Sequence, residues 1–308
     1  MKTLLLTGSE GLIGKKLKPL LLDAGYQIKS LDTALPKGHP EQGDITEYKT
    51  LKNHLPDVSG VIHLAAVSRV VWGQNDPKNC LLTNTLGTQH LLDLCLNHPN
   101  KPWCLYASSR EVYGEQSNLP VKEDARLQPL NVYARSKMMA EQAVEVYRQA
   151  GLKTAILRFS NVYGSTEDHA DRVVPAFCRA ATSAGNLYLE GKDNIFDFTH
   201  VDDVALGILS AVKLLSTGKS LPTMHFVSGQ PTSLAELANI ICRLSNKQSK
   251  LIDRAPRNFD VARFYGDPTL AKKILNWHTR IKLETGLEKL IGEFSALNKK
   301  QEKTATST

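Results

Sequence analysis

The chain opens on an apolar run, Leu4-Leu5-Leu6, that stops at Thr7-Gly8. Apolar positions then return at helical spacing at Leu12, Ile13, Leu17, Leu20 and Leu21. That order predicts a buried strand, a tight turn and the start of a helix. Residues 27–31 (QIKSL) predict a second strand ending at Asp32. Gly43-Asp44-Ile45 predicts the end of a third, with a helix after it to Leu55. A fourth strand is expected over 58–64, and a long helix over 76–97 carrying Leu81, Leu82, Leu86, Leu91, Leu92 and Leu94. A fifth strand over 103–107 runs into SSREVYG at 108–114. A polar loop, a helix over 132–150 and a sixth strand over 153–159 follow. Strands alternating with helices predict an α/β fold with a doubly wound parallel sheet, whose ligands sit at the C-terminal ends of the strands.

After Gly164 the pattern loosens. It predicts helices near 172–184, 201–215, 233–245, 268–275 and 284–297, a polar turn from Glu190 to Asn194, a seventh strand at 224–227 and a short one at 250–252. The expected organisation is one domain from 1–164 and 199–228, with a smaller C-terminal α/β lobe from 165–198 and 229–297. The polar tail at 298–308 is expected to be disordered.

A length of 308 residues gives ample core, and no 18-residue apolar run predicts a membrane span. The N-terminus enters the first strand at once, so a signal peptide is not expected. Five scattered cysteines without a C-x-x-C pair fit a reducing cytoplasm rather than a disulfide framework. The nine histidines show no ligand spacing, so no metal is expected. The net charge of +7 reads as lysine on exposed faces, including Lys299, Lys300 and Lys303. A nucleic-acid partner would need a basic patch interleaved with aromatics, and none is visible. An anionic substrate would suit the positive field.

The candidate chemistry collects at predicted strand ends. Gly8, Gly11 and Gly14 recur as G-x-x-G-x-x-G where the usual dinucleotide fingerprint is G-x-G-x-x-G. A glycine turn at a helix N-terminus brings backbone N–H groups close to a pyrophosphate, where the helix dipole favours negative charge. Asp32 lies where a carboxylate can hold both hydroxyls of an adenosine ribose, and it would repel a 2′-phosphate. The expected cofactor is therefore NAD rather than NADP. A turn aspartate would look the same. Ala65 and Ala66, small residues after the fourth strand, either admit a ligand or pack a helix. Tyr133 and Lys137, four apart, share a helix face. A nearby ammonium and a cationic nicotinamide are expected to lower the tyrosine's pKa, making it a base for an alcohol, with Ser109 bonding the same oxygen. Y-x-x-x-K on an exposed helix is also ordinary surface polarity. The order of glycine turn, acid, serine, tyrosine and lysine along the chain gives the pattern its weight.

The stretches TGSEGLIG, GDI, HLAA, NTLGT, SSREVYG, YARSK, LRFSNVYG and DFTHVDDV occur together in that order. Over 2–295 the chain resembles the extended short-chain dehydrogenase/reductase family, within it the NAD-dependent nucleotide-sugar epimerase/dehydratase group. The resemblance implies a Rossmann-type sheet. It implies that Gly8, Gly11, Leu12, Ile13 and Gly14 line the pyrophosphate, that Asp32 holds the ribose, and that Asp44 and Ile45 lie by the adenine. Leu64, Ala65, Ala66 and Asn84 are implied at the cofactor, Asn84 in the helix beneath the site. Ser109, Tyr133 and Lys137 are implied as the catalytic triad, Lys137 also touching the cofactor. Asn161, Arg110 and Arg257 are implied substrate contacts, Arg257 at a sugar diphosphate, and a homodimer is implied. Two positions depart from the pattern. Phe196 stands where relatives carry an arginine, and Ser109-Arg110-Glu111 stands where dehydratases carry Thr-Asp-Glu. Glu111 keeps the base position, but a guanidinium cannot serve as an acid. The expected activity is therefore 4-epimerisation of a nucleotide-activated hexose. A 4,6-dehydratase, decarboxylase or 4-ketoreductase of the same family remains an alternative, as does a non-catalytic member binding RNA or protein.

Overall fold

A computed structural model describes residues 1–305, with side chains through 300. The first half contains β1 (Thr3–Thr7), α1 (Leu12–Asp23), β2 (Gln27–Leu31), α2 (Tyr48–His54) and β3 (Val58–His63). It continues through α3 (Val70–Asn75), α4 (Pro77–Leu81), a π-helical turn at Leu82–Gly87, α5 (Thr88–Asn97), β4 (Trp103–Ser109), α6 (Val132–Gln149) and β5 (Thr154–Phe159). The second half adds β6 (Asn161–Tyr163), α7 (Val173–Thr182), β7 (Asn186–Glu190), β8 (Ile195–His200), α8 (Val201–Leu215) and β9 (Met224–Phe226). After these come β10 (Pro231–Ser233), α9 (Leu234–Ser245), β11 (Lys250–Arg254), α10 (Thr269–Leu275) and α11 (Leu283–Ala305).

Six parallel strands form the central sheet in the order β2-β1-β3-β4-β5-β9. Side chains alternate across a strand, so β1 serves two cores at once. Leu4 and Leu6 pack with Leu17 and Leu21 of α1 and Val204 and Ile208 of α8. Leu5 faces the other way, into Leu51, Leu91, Leu92 and Val144. A sheet covered on both faces explains why its strands are near-continuous apolar runs. A third core joins α7, α9 and α11 to β7 and β8 through Phe177, Leu187, Phe198, Leu237 and Phe294. The remaining strands pair as β10-β8-β6 and β11-β7.

Four expectations change. Gly43–Ile45 is not a strand end: the neighbouring pairing is a single bridge, Asp32 to Gln42. Asp44 closes a turn instead, its Oδ1 accepting from the Thr46 amide at 2.8 Å and hydroxyl at 2.9 Å. Residues 76–97 are not one uniform helix, because the π turn interrupts them. The loose region at 165–198 contains two strands, β7 and β8, on either side of the predicted turn. The tail is helical through Ala305, since α11 continues past the predicted end; 306–308 lie outside the described residues.

Candidate active site

The C-terminal ends of β1 to β4 open into a cleft of about 780 Å³. Gly8 turns the chain out of β1 at φ +74°, and a Cβ there would stand 2.6 Å from the Ala65 amide nitrogen. At Gly14 a Cβ would stand 2.3 Å from the Gly8 carbonyl oxygen, so the first turn of α1 needs bare backbone to close on the loop. Gly11, the N-cap of α1, differs: a Cβ there would meet only the Gly8 oxygen, at 3.4 Å. No side chain caps this helix, which leaves its first amides for a ligand. Asp32 accepts from the Glu10 amide and the Ala34 amide, both at 2.9 Å. Each oxygen keeps acceptor capacity for a diol. Gly8, Gly11, Leu12, Ile13, Gly14, Asp32, Asp44, Ile45, Leu64, Ala65 and Ala66 all line the cleft. An uncapped helix end, a backbone-only turn and an acid at the next strand fit the dinucleotide.

Asn84 does not line the cleft; it is buried below. Its Oδ1 accepts from the Val67 amide at 2.7 Å, and its Nδ2 donates to the Val67 carbonyl at 3.0 Å and to Ser136 Oγ at 2.9 Å. It clamps the loop after β3. Beside it, Thr7 donates to His63 Nδ1 at 2.7 Å and accepts from the Ala65 amide at 3.3 Å. His63 Nε2 meets Thr88 Oγ1 at 3.0 Å, and Thr88 donates to the Asn84 carbonyl. Directed donors therefore fix the imidazole as a neutral Nε2–H tautomer. Burial and the Lys137 charge pull its pKa down to about 3.

At the other end of the cleft, β4 delivers Ser109 and α6 delivers Tyr133 and Lys137. Asn131 caps α6 by accepting from the Ala134 amide at 2.8 Å, and its Nδ2 donates to Glu111 Oε2 at 3.2 Å. Tyr133 is hydrogen-bonded to Ser109, and burial pushes the phenol up to about 12 against that bond. Lys137 donates to the Ala107 carbonyl at 2.8 Å and lies over the Tyr106 ring, 4.9 Å from its centroid. Burial brings the ammonium down to about 8. The expected lowering of Tyr133 by Lys137 is not what the structure shows: burial dominates, and the opposing influences come from Ser109 and the Arg172 charge.

Glu111 is buried, and burial raises its carboxyl above the usual range against the pull of Arg110 and Asn131. Arg110, only 6% exposed, donates from Nη2 to Glu111 Oε1 at 2.8 Å. Its guanidinium carbon lies 5.2 Å from the Phe196 ring centroid and 5.6 Å from that of Phe264. Asn161 and Phe196 also line the cleft. Arg257 reaches its far end, but it already pairs with Asp260 at 2.6 Å and approaches Glu190 at 3.5 Å. Any diphosphate contact there must compete with two carboxylates.

The segment 165–172 was not anticipated at the site. Glu167 accepts from Lys15 of α1 at 2.6 Å, and Asp171 pairs with Arg69 in the loop after β3. The His169 ring meets Trp72 edge-on at 4.5 Å, and Arg172 Nη2 reaches Ser68 Oγ at 3.5 Å. The only signal in sequence was the density of acids and arginine in DHADR, which says nothing of partners so distant along the chain. Among the described residues no cluster of three or more His, Cys, Asp or Glu is placed to hold a metal ion, and no helix is long and apolar enough to cross a membrane.

The chain is similar to several known proteins. A UDP-glucuronate 4-epimerase of Thermodesulfobacterium geofontis is 30% identical across 93% of this chain and 94% of its own. The UDP-glucose 4-epimerase of Thermotoga maritima, solved with UDP-glucose, superposes with a TM-score of 0.88 at 25% identity, covering 96% of this chain and 99% of that one. The Brucella ovis UDP-glucose 4-epimerase, solved with NAD, gives 0.86 at 28% identity, with 96% and 99% covered. Residues 4–224 match the NAD dependent epimerase/dehydratase family. With most of its length in that match, the chain belongs to the NAD dependent epimerase/dehydratase family.

Proposed function

We propose that the protein is an NAD-dependent 4-epimerase of a nucleotide-activated hexose. The observation that carries this is the buried Ser109–Tyr133–Lys137 group standing in the same cleft as the uncapped N-terminus of α1. Ser109 holds the 4-hydroxyl oxygen, and Tyr133, in the phenolate form that a bound cationic nicotinamide would favour, takes its proton as the C4–H bond breaks. NAD, when bound, supplies the acceptor and later the donor of the C4 hydride. Lys137, fixed by the Ala107 carbonyl, orients and stabilises the cofactor end of the site. The 4-keto sugar turns in the cleft, and Tyr133 returns the proton after hydride reaches the opposite face. The intact, ordered triad argues against a non-catalytic binder. Glu111 is available as a base for a dehydratase, but its neighbour Arg110 cannot be the acid for a departing hydroxide.

Turnover in heavy water separates the two. An epimerase returns the same hydride, so the product keeps its mass and gains no carbon-bound deuterium. A product lighter by one water, with solvent deuterium at C5, would establish the dehydratase instead.

The organisation proposed alongside is a cofactor domain of 1–164 and 199–228 and a sugar-nucleotide lobe of 165–198 and 229–297; the carrying feature is the separate core of α7, α9 and α11. A homodimer is proposed through α6 and the helical run beside it. Leu82 (39% exposed) and Leu86 (38%) lie on that run, and Met139 (43%) and Val146 (63%) on α6. Two adjacent helices with exposed apolar side chains suit a self-complementary four-helix contact, and sedimentation reads the mass directly. Five free cysteines, four of them buried, support a reducing compartment such as the cytoplasm.

A further inference from the structure

The reacting oxygen is located by Ser109 and Tyr133. The next residue, Arg110, lines the same cleft, so the sugar groups within its reach would be those beside C4. On one side of C4 that is the C3 hydroxyl, and on the other the C5 carbon bearing C6. Arg110 is held where it is by several contacts. It lies over the Phe196 and Phe264 rings, and Nη2 is committed to Glu111. Its Nη1 is buried and has no hydrogen-bond partner among the described residues. A buried donor left unpaired is costly, more so on a charged group, and such an atom in a cleft wall points to a missing acceptor.

The charge balance says what kind of acceptor. In charge the other arginines of the cleft are matched, Arg257 by Asp260 and Glu190, Arg69 by Asp171, and Arg172 by the Asp168 carboxyl at 3.5 Å, although Arg172 Nε makes no hydrogen bond among the described residues. Arg110 faces one carboxyl, and burial drives that carboxyl toward its neutral form. Phe196 brings no charge and serves as a platform for the guanidinium. An anion beside C4 would complete the pairing of Arg110 with a charge-assisted bond, which a neutral hydroxymethyl group could not match.

We infer that Arg110 reads a carboxylate at C6, so that the substrate is a nucleotide-activated hexuronate. The inference rests on the epimerase reading and narrows it to one sugar class. Arg110 is then the specificity-determining residue, and Phe196 and Phe264 set the position of its guanidinium.

The test is calorimetric titration of the NAD-loaded protein with UDP-glucuronate and with UDP-glucose, followed by turnover of each. The wild type should bind the uronate about ten- to a hundredfold more tightly, the range of one charge-assisted hydrogen bond. Arg110→Lys keeps a cation opposite Glu111 but loses the planar fork, and most of that preference should go with it. Equal affinity for the two sugars, or tighter glucose binding, overturns the inference. So does an Arg110→Lys variant that weakens both equally. The wild-type comparison decides whether or not the variant folds. A uronate preference without inversion at C4 would overturn the epimerase reading and leave Arg110 assigned. Inversion of both sugars without preference would do the reverse.

Discussion

Tyr133 and Lys137 sit one helical turn apart, and burial moves them apart on the pH scale, the phenol up to about 12 and the ammonium down to about 8. The protein alone therefore holds Tyr133 as a protonated phenol bonded to Ser109. Removing its hydroxyl removes the proton-transfer group and little else. Tyr133→Phe should lower turnover by about 10²- to 10⁴-fold, the usual worth of general acid–base catalysis, with NAD affinity retained on titration. Near-normal turnover would assign the proton to another residue. At this scale the residue types and their order were legible, because the chemistry needs those side chains. Their pairings were not. Arg257 is bound to Asp260, Lys137 is bound to the Ala107 carbonyl, and Asn84 holds Val67 from below. Nothing in the spacing of these residues records which neighbour the fold brings within reach.

At the scale of elements, the unit β1–turn–α1 was legible because its constraints are local. A five-residue apolar strand must stop, turn and restart as a helix, and the glycines mark where side chains cannot fit. Gly14→Ala places a methyl carbon against backbone oxygens of Gly8 and Ser9, which cannot swing away as a side chain would. We expect a stability loss of about 1–3 kcal/mol by denaturant titration, together with weakened NAD binding. Wild-type stability in that variant would mean that the loop shifts freely. The π turn at Leu82–Gly87 was invisible, since one extra residue per turn leaves no compositional trace. β8 was missed for a different reason. Its IFDFTH carries Asp197 at a core position, where it reads as a loop acid. In the fold it is fully buried, and the Ser228 and Gly229 amides both donate to it at 2.8 Å. A tertiary partner thirty residues away turned a loop residue into a strand residue.

For the whole molecule, the buried histidines set a limit on the acid side. His63 and His225 are both pulled down to about 3 by burial. His225 is held between Tyr113, whose hydroxyl lies 2.5 Å from Nε2, and the Asp267 carbonyl, 3.3 Å from Nδ1. Between pH 3 and 6.5 the unfolded chain binds protons at these sites that the folded chain refuses, so stability rises with pH across that window. The melting temperature should fall steadily as the pH is lowered from 6.5, and His225→Asn should make the slope shallower. Burial raises the carboxyls of Glu111, Glu123, Asp168 and Asp197, which pull the other way, so the comparison with the variant decides: an unchanged slope in His225→Asn would show that this ring does not carry the trend. The assembly of the sheet was readable from strands and helices alone, but the closure of the site was not. That closure depends on 165–172 meeting Lys15, Ser68, Arg69 and Trp72, a meeting between parts of the chain some hundred or more residues apart.

That same crossing has a meaning for cellular economy. A nicotinamide dinucleotide bound in the cleft would have α1 on one side and the loop after β3 on the other, with the segment 165–172 bridging both. Departure would require ion pairs at both ends to part together. The cofactor would then be a tenant with a long residence time, re-reduced and re-oxidised within a single catalytic cycle and shared with no other enzyme. Flux through such a catalyst would be indifferent to the redox poise of the surrounding dinucleotide pool, and exchange with labelled NAD would quicken as ionic strength rises.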